Sequence, residues 1–167
     1  AGIPAGIFNV VLGDPAEVSK ILCGESRIRA LSFTGSTRVG RLLIEQSANT
    51  VKRLSLELGG NAPFIVGPDM DPKQAAYAAV DAKFQTAGQD CLAANRILVH
   101  ESIHDEFVGQ FAERMAALTV GNGLQGEIDL GPLIHRQAVE KAASIVDDAI
   151  SKGAKMIGGD QSQAPGE

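Results

Sequence analysis

Apolar residues recur along this chain in two rhythms that take turns. Leu54, Leu56 and Leu58 alternate with Arg53, Ser55 and Glu57, the two-residue period of a strand. Ahead of them, the apolar run 8–12, closed by Gly13, predicts a buried strand. Asp14-Pro15 supplies a helix N-cap and a first-turn proline, with Val18, Ile21 and Leu22 on one helical face and Gly24 as C-cap. Residues 28–33 predict the next strand, and 36–47 a helix with Val39, Leu42 and Leu43 inward. Past Gly59-Gly60, a short strand at 64–66 leads to a helix opened by Asp71-Pro72 and running to Phe84, with Ala75, Ala79 and Ala82 stacked. A strand at 95–100 follows, then a helix with a capping box at Ser102 and Asp105 and a stripe of Ile103, Phe107, Phe111 and Met115. After a loop at Asn122-Gly123 and Gly126, Val139, Ala143, Val146 and Ile150 line a last helix stopped by Gly153, and 155–157 predicts a final strand. Strand and helix alternate in both halves, which predicts an α/β fold with doubly wound, mostly parallel sheets.

Composition narrows the function classes. A hydrophobic share of 44% in 167 residues is enough for a buried core. The net charge of −5 and the lack of any Lys/Arg cluster argue against a nucleic-acid partner. No apolar run reaches the roughly 18 residues of a membrane span, and no charged-then-apolar leader precedes residue 1. Two cysteines, Cys23 and Cys91, are too few for a disulfide framework and fit a reducing, cytoplasmic compartment. His100, His104 and His135 lack ligand spacing, so no metal site is expected. The first residues lack Met and the last seven read as a loop, so the chain is expected to be an internal segment of a longer protein.

Three stretches carry chemistry. Gly35-Ser36-Thr37-Arg38-Val39-Gly40 follows a predicted strand and opens a helix; its amides and helix dipole suit a diphosphate, or it is an ordinary helix start. Glu57 is a lone carboxylate at the end of an apolar strand, where open sheets bind ligands; partial burial would lift it from roughly 4.3 toward general-base duty. The alternative for Glu57 is a surface or ion-paired residue. Cys91 lies in the small uncharged turn of Thr86-Ala87-Gly88-Gln89, with Asp90 before it, and is either a nucleophile or a buried structural thiol. Cys23 takes the structural reading, at the inner side of a helix end.

As a set, F-T-G-S-T-x-V-G, then L-E-L-G-G, then G-Q-x-C, in this order and at these separations, resembles the aldehyde dehydrogenase superfamily. The opening Ala1-Gly2-Ile3-Pro4-Ala5-Gly6-Ile7-Phe8-Asn9-Val10-Val11 and Gly131-Pro132-Leu133-Ile134 resemble it too, so the likeness covers essentially the whole chain. The resemblance implies that 1–58 is the C-terminal part of an NAD(P)-binding domain and 59–167 the N-terminal part of a catalytic domain. It implies Cys91 as nucleophile on a small aldehyde, giving a thiohemiacetal and then a thioester, and Glu57 as the base that activates the hydrolytic water. It implies NAD or NADP held by Gly35, Ser36, Thr37, Arg38, Val39, Gly40 and Leu58, and a homo-oligomer. Relatives that pass the acyl group to coenzyme A commonly lack this Glu, which favours hydrolysis here. The oxyanion-hole Asn and the ribose-binding Glu of the family fall outside the chain.

Within that superfamily, the stretch from Glu57 to Val66, with Asn61 where most branches have Lys, and Gly153 to Gly159 look like succinate-semialdehyde dehydrogenases. Two positions depart. Gln85 stands six residues before the nucleophile, where that subfamily carries a carboxylate-binding Arg, and Ala93 replaces a second Cys. A neutral amide lacks the bidentate, charge-assisted grip of Arg, so a different aldehyde stays open beside succinate semialdehyde. Two further readings also stand: a non-catalytic fragment of such an enzyme and a nucleotide-binding module.

Overall fold

Asp14 starts the first helix by taking the Ala16 and Glu17 amides on Oδ1 at 2.9 and 3.0 Å, while Pro15 fills the first helical position. The computed structural model describes residues 2–159, and the chain falls into two compact units, Ala1–Gly59 and Gly60–Glu167.

In the first unit, α1 (Pro15–Gly24) leads to β1 (Ala30–Gly35), α2 (Thr37–Ser47) and β2 (Arg53–Leu58). β1 and β2 run parallel with α2 as the crossover, in register from Ala30 beside Arg53 to Gly35 beside Leu58. Leu54, Leu56 and Leu58 turn to the half-buried face while Arg53, Ser55 and Glu57 turn out, as the alternation predicts. Cys23 of α1 is fully buried, and Leu43 of α2 is also buried. Lys52 is 9% exposed, and its ammonium is hydrogen-bonded to backbone: Nζ donates to the Glu25 and Ile28 carbonyls at 2.6 and 2.7 Å. Those bonds offset the desolvation of a buried cation and tie the end of α1 to the start of both strands.

Three expectations fail in this unit. Residues 8–12 form no strand; Phe8, Val10, Val11 and Leu12 are exposed. A strand needs a ladder partner, and among the described residues β1 and β2 are paired only with each other. Ile21 and Leu42 are exposed rather than inward; α1 packs chiefly against α2 and not on the strands. Gly24 is the last helical residue, and Glu25, in extended geometry, takes the capping position.

The second unit repeats the plan. β3 (Ala62–Val66) and β4 (Ala94–Val99) are parallel, crossed by α3 (Pro72–Phe84). Asp71 caps α3 through the Gln74 amide at 2.8 Å. α4 (His104–Ala116) and α5 (Arg136–Ser151) follow. Ala75, Ala76 and Ala79 give α3 a flat face, and Phe107 of α4 closes on them and on Val66. Phe111 stacks on Phe107 with ring centroids 5.9 Å apart. Removing the Phe107 ring leaves a void that small alanines cannot fill. Phe107→Ala is expected to destabilise this unit by about 3–5 kcal/mol, read as a fall in the denaturant midpoint.

The Ser102 capping box does not form. His100 takes its place, its Nδ1 accepting the Ser102 amide at 3.2 Å at the head of a 3₁₀ turn (Glu101–Ile103) that runs into α4. Asp105 instead pairs with His104. No residue of α5 is buried, so the face of Val139, Ala143, Val146 and Ile150 is helical in spacing without being core. Residues 155–157 are not a strand, and no described strand pairs with them. Gly153 does stop α5, in a left-handed conformation (φ 93°).

Candidate active site

The first unit presents a helix start and a carboxylate at one strand edge. β1 ends at Gly35, and Ser36 caps α2: its Oγ accepts the Val39 amide at 3.3 Å and its carbonyl the Gly40 amide at 2.9 Å. The hydroxyl keeps its own proton to donate. Helix geometry leaves the Thr37 and Arg38 amides without carbonyl acceptors inside α2, and the dipole adds partial positive charge there. The parallel register sets Gly35 level with Leu58 and Thr34 level with Glu57. The anion-facing turn and the carboxylate therefore share the C-terminal edge of the β1–β2 pair.

The two flanking glycines do different work. Gly40 is buried, and a Cβ there would stand 2.8 Å from Leu58 Cδ2, so its smallness seats α2 on β2. A Cβ at Gly35 would meet Phe33 Cζ at 2.5 Å, so the ring of Phe33 occupies the space beside the turn. Glu57 is exposed in its unit, which is the surface placement that stood as the alternative to partial burial. The reason is its register: it lies on the outward face opposite exposed Thr34, away from the leucines.

The second unit carries the cysteine on a strained loop. α3 ends at Phe84, and Thr86, Ala87 and Gly88 follow with φ of 49°, 53° and 72°. Left-handed geometry suits Gly88 but is unfavourable for Thr86 and Ala87, so neighbouring contacts must hold it. Gln89 supplies two: its amide donates to the Thr86 carbonyl at 3.1 Å, and its Oε1 accepts the Ile134 amide at 3.0 Å. The second contact anchors the loop to Gly131-Pro132-Leu133-Ile134. An open cleft of about 490 Å³ lies between the two stretches, lined by Thr86, Ala87, Gln89, Asp129, Pro132 and Ile134 among others.

Cys91 comes directly after this turn and is exposed, which removes the buried structural reading. A Cβ at Gly60 would be 3.0 Å from the Cys91 carbonyl, so the glycine lets the backbone pass close to the nucleophile segment. The Gly60 carbonyl also accepts from Asn95 Nδ2 at 3.3 Å, and Asn95 is in turn held by Lys83 Nζ at 2.8 Å. Asp90 Oδ1 accepts the Leu92 amide at 3.1 Å, and its carbonyl accepts the Ala93 amide at 3.2 Å. The Leu92 amide, then the Cys91 thiol and amide, hold the Asp90 carboxyl below the usual carboxylate range, so it is ionised at neutral pH. Gln85, just past α3, is exposed six residues before Cys91. Among the described residues no group of three His, Cys, Asp or Glu side chains is placed to hold a metal, and no helix is long and apolar enough to cross a membrane.

The whole chain, residues 1–167, matches the aldehyde dehydrogenase family. It belongs to that family. An aspartate-semialdehyde dehydrogenase (non-phosphorylating) of Halomonas elongata is 82% identical over 99% of this chain and 34% of its own length. A succinate semialdehyde dehydrogenase of Acinetobacter baylyi is 47% identical over all of this chain and 35% of its own. The crystal structure of succinate-semialdehyde dehydrogenase from Burkholderia pseudomallei superposes with a TM-score of 0.91 at 47% identity, covering 95% of this chain and 33% of the other. The chain thus spans about a third of the length of the aldehyde dehydrogenases it matches. Its two parallel pairs are short portions of an aldehyde dehydrogenase α/β architecture, which the sequence pattern gave as doubly wound.

Glu57, Leu58 and the Gly35–Gly40 turn lie in the first unit and Cys91 lies in the second. Sequence reasoning missed Gln89 as a clamp and Asp90 as a carboxylate bonded to the nucleophile. The signal for Asp90 was present, since an acid beside a cysteine is an electrostatic anomaly. Nothing in the local sequence announced that Gln89 would reach Ile134.

Proposed function

We propose that this chain forms the nucleophile-bearing part of an NAD(P)-dependent dehydrogenase that oxidises a short semialdehyde, an aldehyde with a carboxylate at its far end, to the dicarboxylic acid. The observation that carries the reading is Cys91, exposed on a loop whose left-handed turn is clamped by Gln89. A rigid, accessible sulfur is what addition to a carbonyl carbon requires.

In this reading Cys91 adds to the aldehyde carbon, and its own backbone amide donates to the oxyanion. The turn at Ser36, Thr37 and Arg38 fits a pyrophosphate: two amides, one hydroxyl proton and the positive end of α2 converge there. When bound, the nicotinamide supplies the hydride acceptor that oxidises the adduct. Glu57 takes a proton from water, which hydrolyses the Cys91 thioester and frees the acid. The exposure of Glu57 within its own unit leaves it open to water. The native protein is proposed to be a cytoplasmic homo-oligomer, and this 167-residue portion alone to be inactive.

Two substrates fit the class. Succinate semialdehyde is supported by the stretches shared with dehydrogenases of that name. Aspartate semialdehyde is favoured by the 82% identity to a relative so named, while Gln85, a neutral amide in place of an Arg, weakens the case for succinate semialdehyde. The test is a steady-state survey with the full-length protein. Both semialdehydes are expected to exceed butanal in kcat/KM by about tenfold or more, the worth of one charge-assisted contact. Equal turnover of butanal would overturn the semialdehyde reading.

A further inference from the structure

Asp90 has no task in the chemistry above and stands where a carboxylate does harm. An anion hydrogen-bonded to a thiol favours the protonated sulfur and opposes the thiolate that must attack. Residues 84–92 contain no Lys or Arg, and the ammonium of Lys83, which reaches the loop at Gly88, donates to Asn95 Oδ1 at 2.8 Å. The carboxylate is also fixed: Oδ1 accepts the Leu92 amide at 3.1 Å, and the Cys91 thiol donates to the same group. A held, ionised acid beside a nucleophile is useful when the incoming molecule brings a positive charge.

Resting on the semialdehyde reading, we infer that Asp90 is a specificity-determining residue that recognises an ammonium on the carbon chain of the substrate, close to the reacting carbonyl. The geometry follows from the bond to sulfur. Once Cys91 Sγ meets the aldehyde carbon, a substituent two carbons further along can fold back toward the group that was hydrogen-bonded to Sγ. An amino group at that position forms a charge-assisted hydrogen bond to Asp90. Pairing with the ammonium also cancels the negative charge beside the sulfur, so the contact that selects the substrate relieves the penalty on the thiolate. An unsubstituted semialdehyde brings no cation to Asp90 and leaves that penalty in place.

The experiment compares aspartate semialdehyde with succinate semialdehyde on the full-length protein, as wild type, Asp90→Asn and Asp90→Glu. Wild type is expected to favour the amino-substituted aldehyde. In Asp90→Asn the ratio of the two kcat/KM values should fall by about tenfold or more, the size of one lost charged contact. Asp90→Glu, which keeps the charge, should retain most of the preference. A merely structural Asp90 would lower both substrates together and leave the ratio within twofold, and that result overturns the inference. So does a wild-type protein that prefers succinate semialdehyde, a comparison that needs no variant to fold. If wild type oxidises neither semialdehyde, the enzyme reading fails first and takes the inference with it.

Discussion

Cys91→Ala in the full-length protein is expected to abolish aldehyde oxidation, lowering turnover by about three orders of magnitude or more, as loss of a covalent nucleophile does. Alanine keeps the Cβ and removes only the sulfur. The side chain is exposed, so no core packing is lost and the fold should survive. NAD(P)H formation reads the activity, and mass spectrometry after incubation with aldehyde reads the covalent adduct, which should be present in wild type and absent in the variant. Turnover that persists in the variant would show that another group attacks the carbonyl. The left-handed turn before Cys91 would then serve only as a connection.

Glu57→Gln is expected to act on the other half of the cycle. Removing a general base typically slows its step by about 10²–10⁴-fold, and that step is hydrolysis of the thioester. Oxidation of the first equivalent of aldehyde should continue, so a rapid burst of NAD(P)H near one per site should precede a slow steady state. The acylated Cys91 peptide should accumulate. Glutamine preserves the shape and removes the charge, and the residue lies on the outward face of β2, so stability should change little. Steady-state rates equal to wild type would remove Glu57 from the mechanism. Loss of the burst as well would move its role to the activation of Cys91.

Much of the fold was legible where local chemistry and tertiary need coincide. Asp14-Pro15 and Asp71-Pro72 announce helix starts because caps act within three residues. The alternation through β2 is readable because one face of that strand is covered and the other is not. The run at residues 8–12 has the same apolar content and is no strand, since its conformation depends on a ladder partner that hydrophobicity does not specify. Val139 and Ile150 show the same limit on a helix: spacing sets the face, but burial is set by whatever lies opposite.

The candidate site divides along similar lines. Cys91 and the Ser36 turn were readable from residue type and spacing. The outward placement of Glu57 was readable as well, because period-two alternation sets it on the face opposite the leucines. His100 displaced Ser102 as a cap because an imidazole nitrogen takes the amide of Ser102 itself, a substitution that capping preferences for small polar residues do not favour. Thr86 and Ala87 carry no sequence mark of left-handed geometry, which is imposed by contacts as distant in the chain as Gln89 to Ile134.

The turn at Thr86-Ala87-Gly88 also sets how this protein can be improved. Glycine at Thr86 or Ala87 would relax the backbone there, and selection for heat resistance would reward it. The same change would slacken the segment that aims the sulfur. At these positions foldability and turnover pull against each other, so gains in robustness should be sought elsewhere, in the packing around Phe107 or the buried ammonium of Lys52.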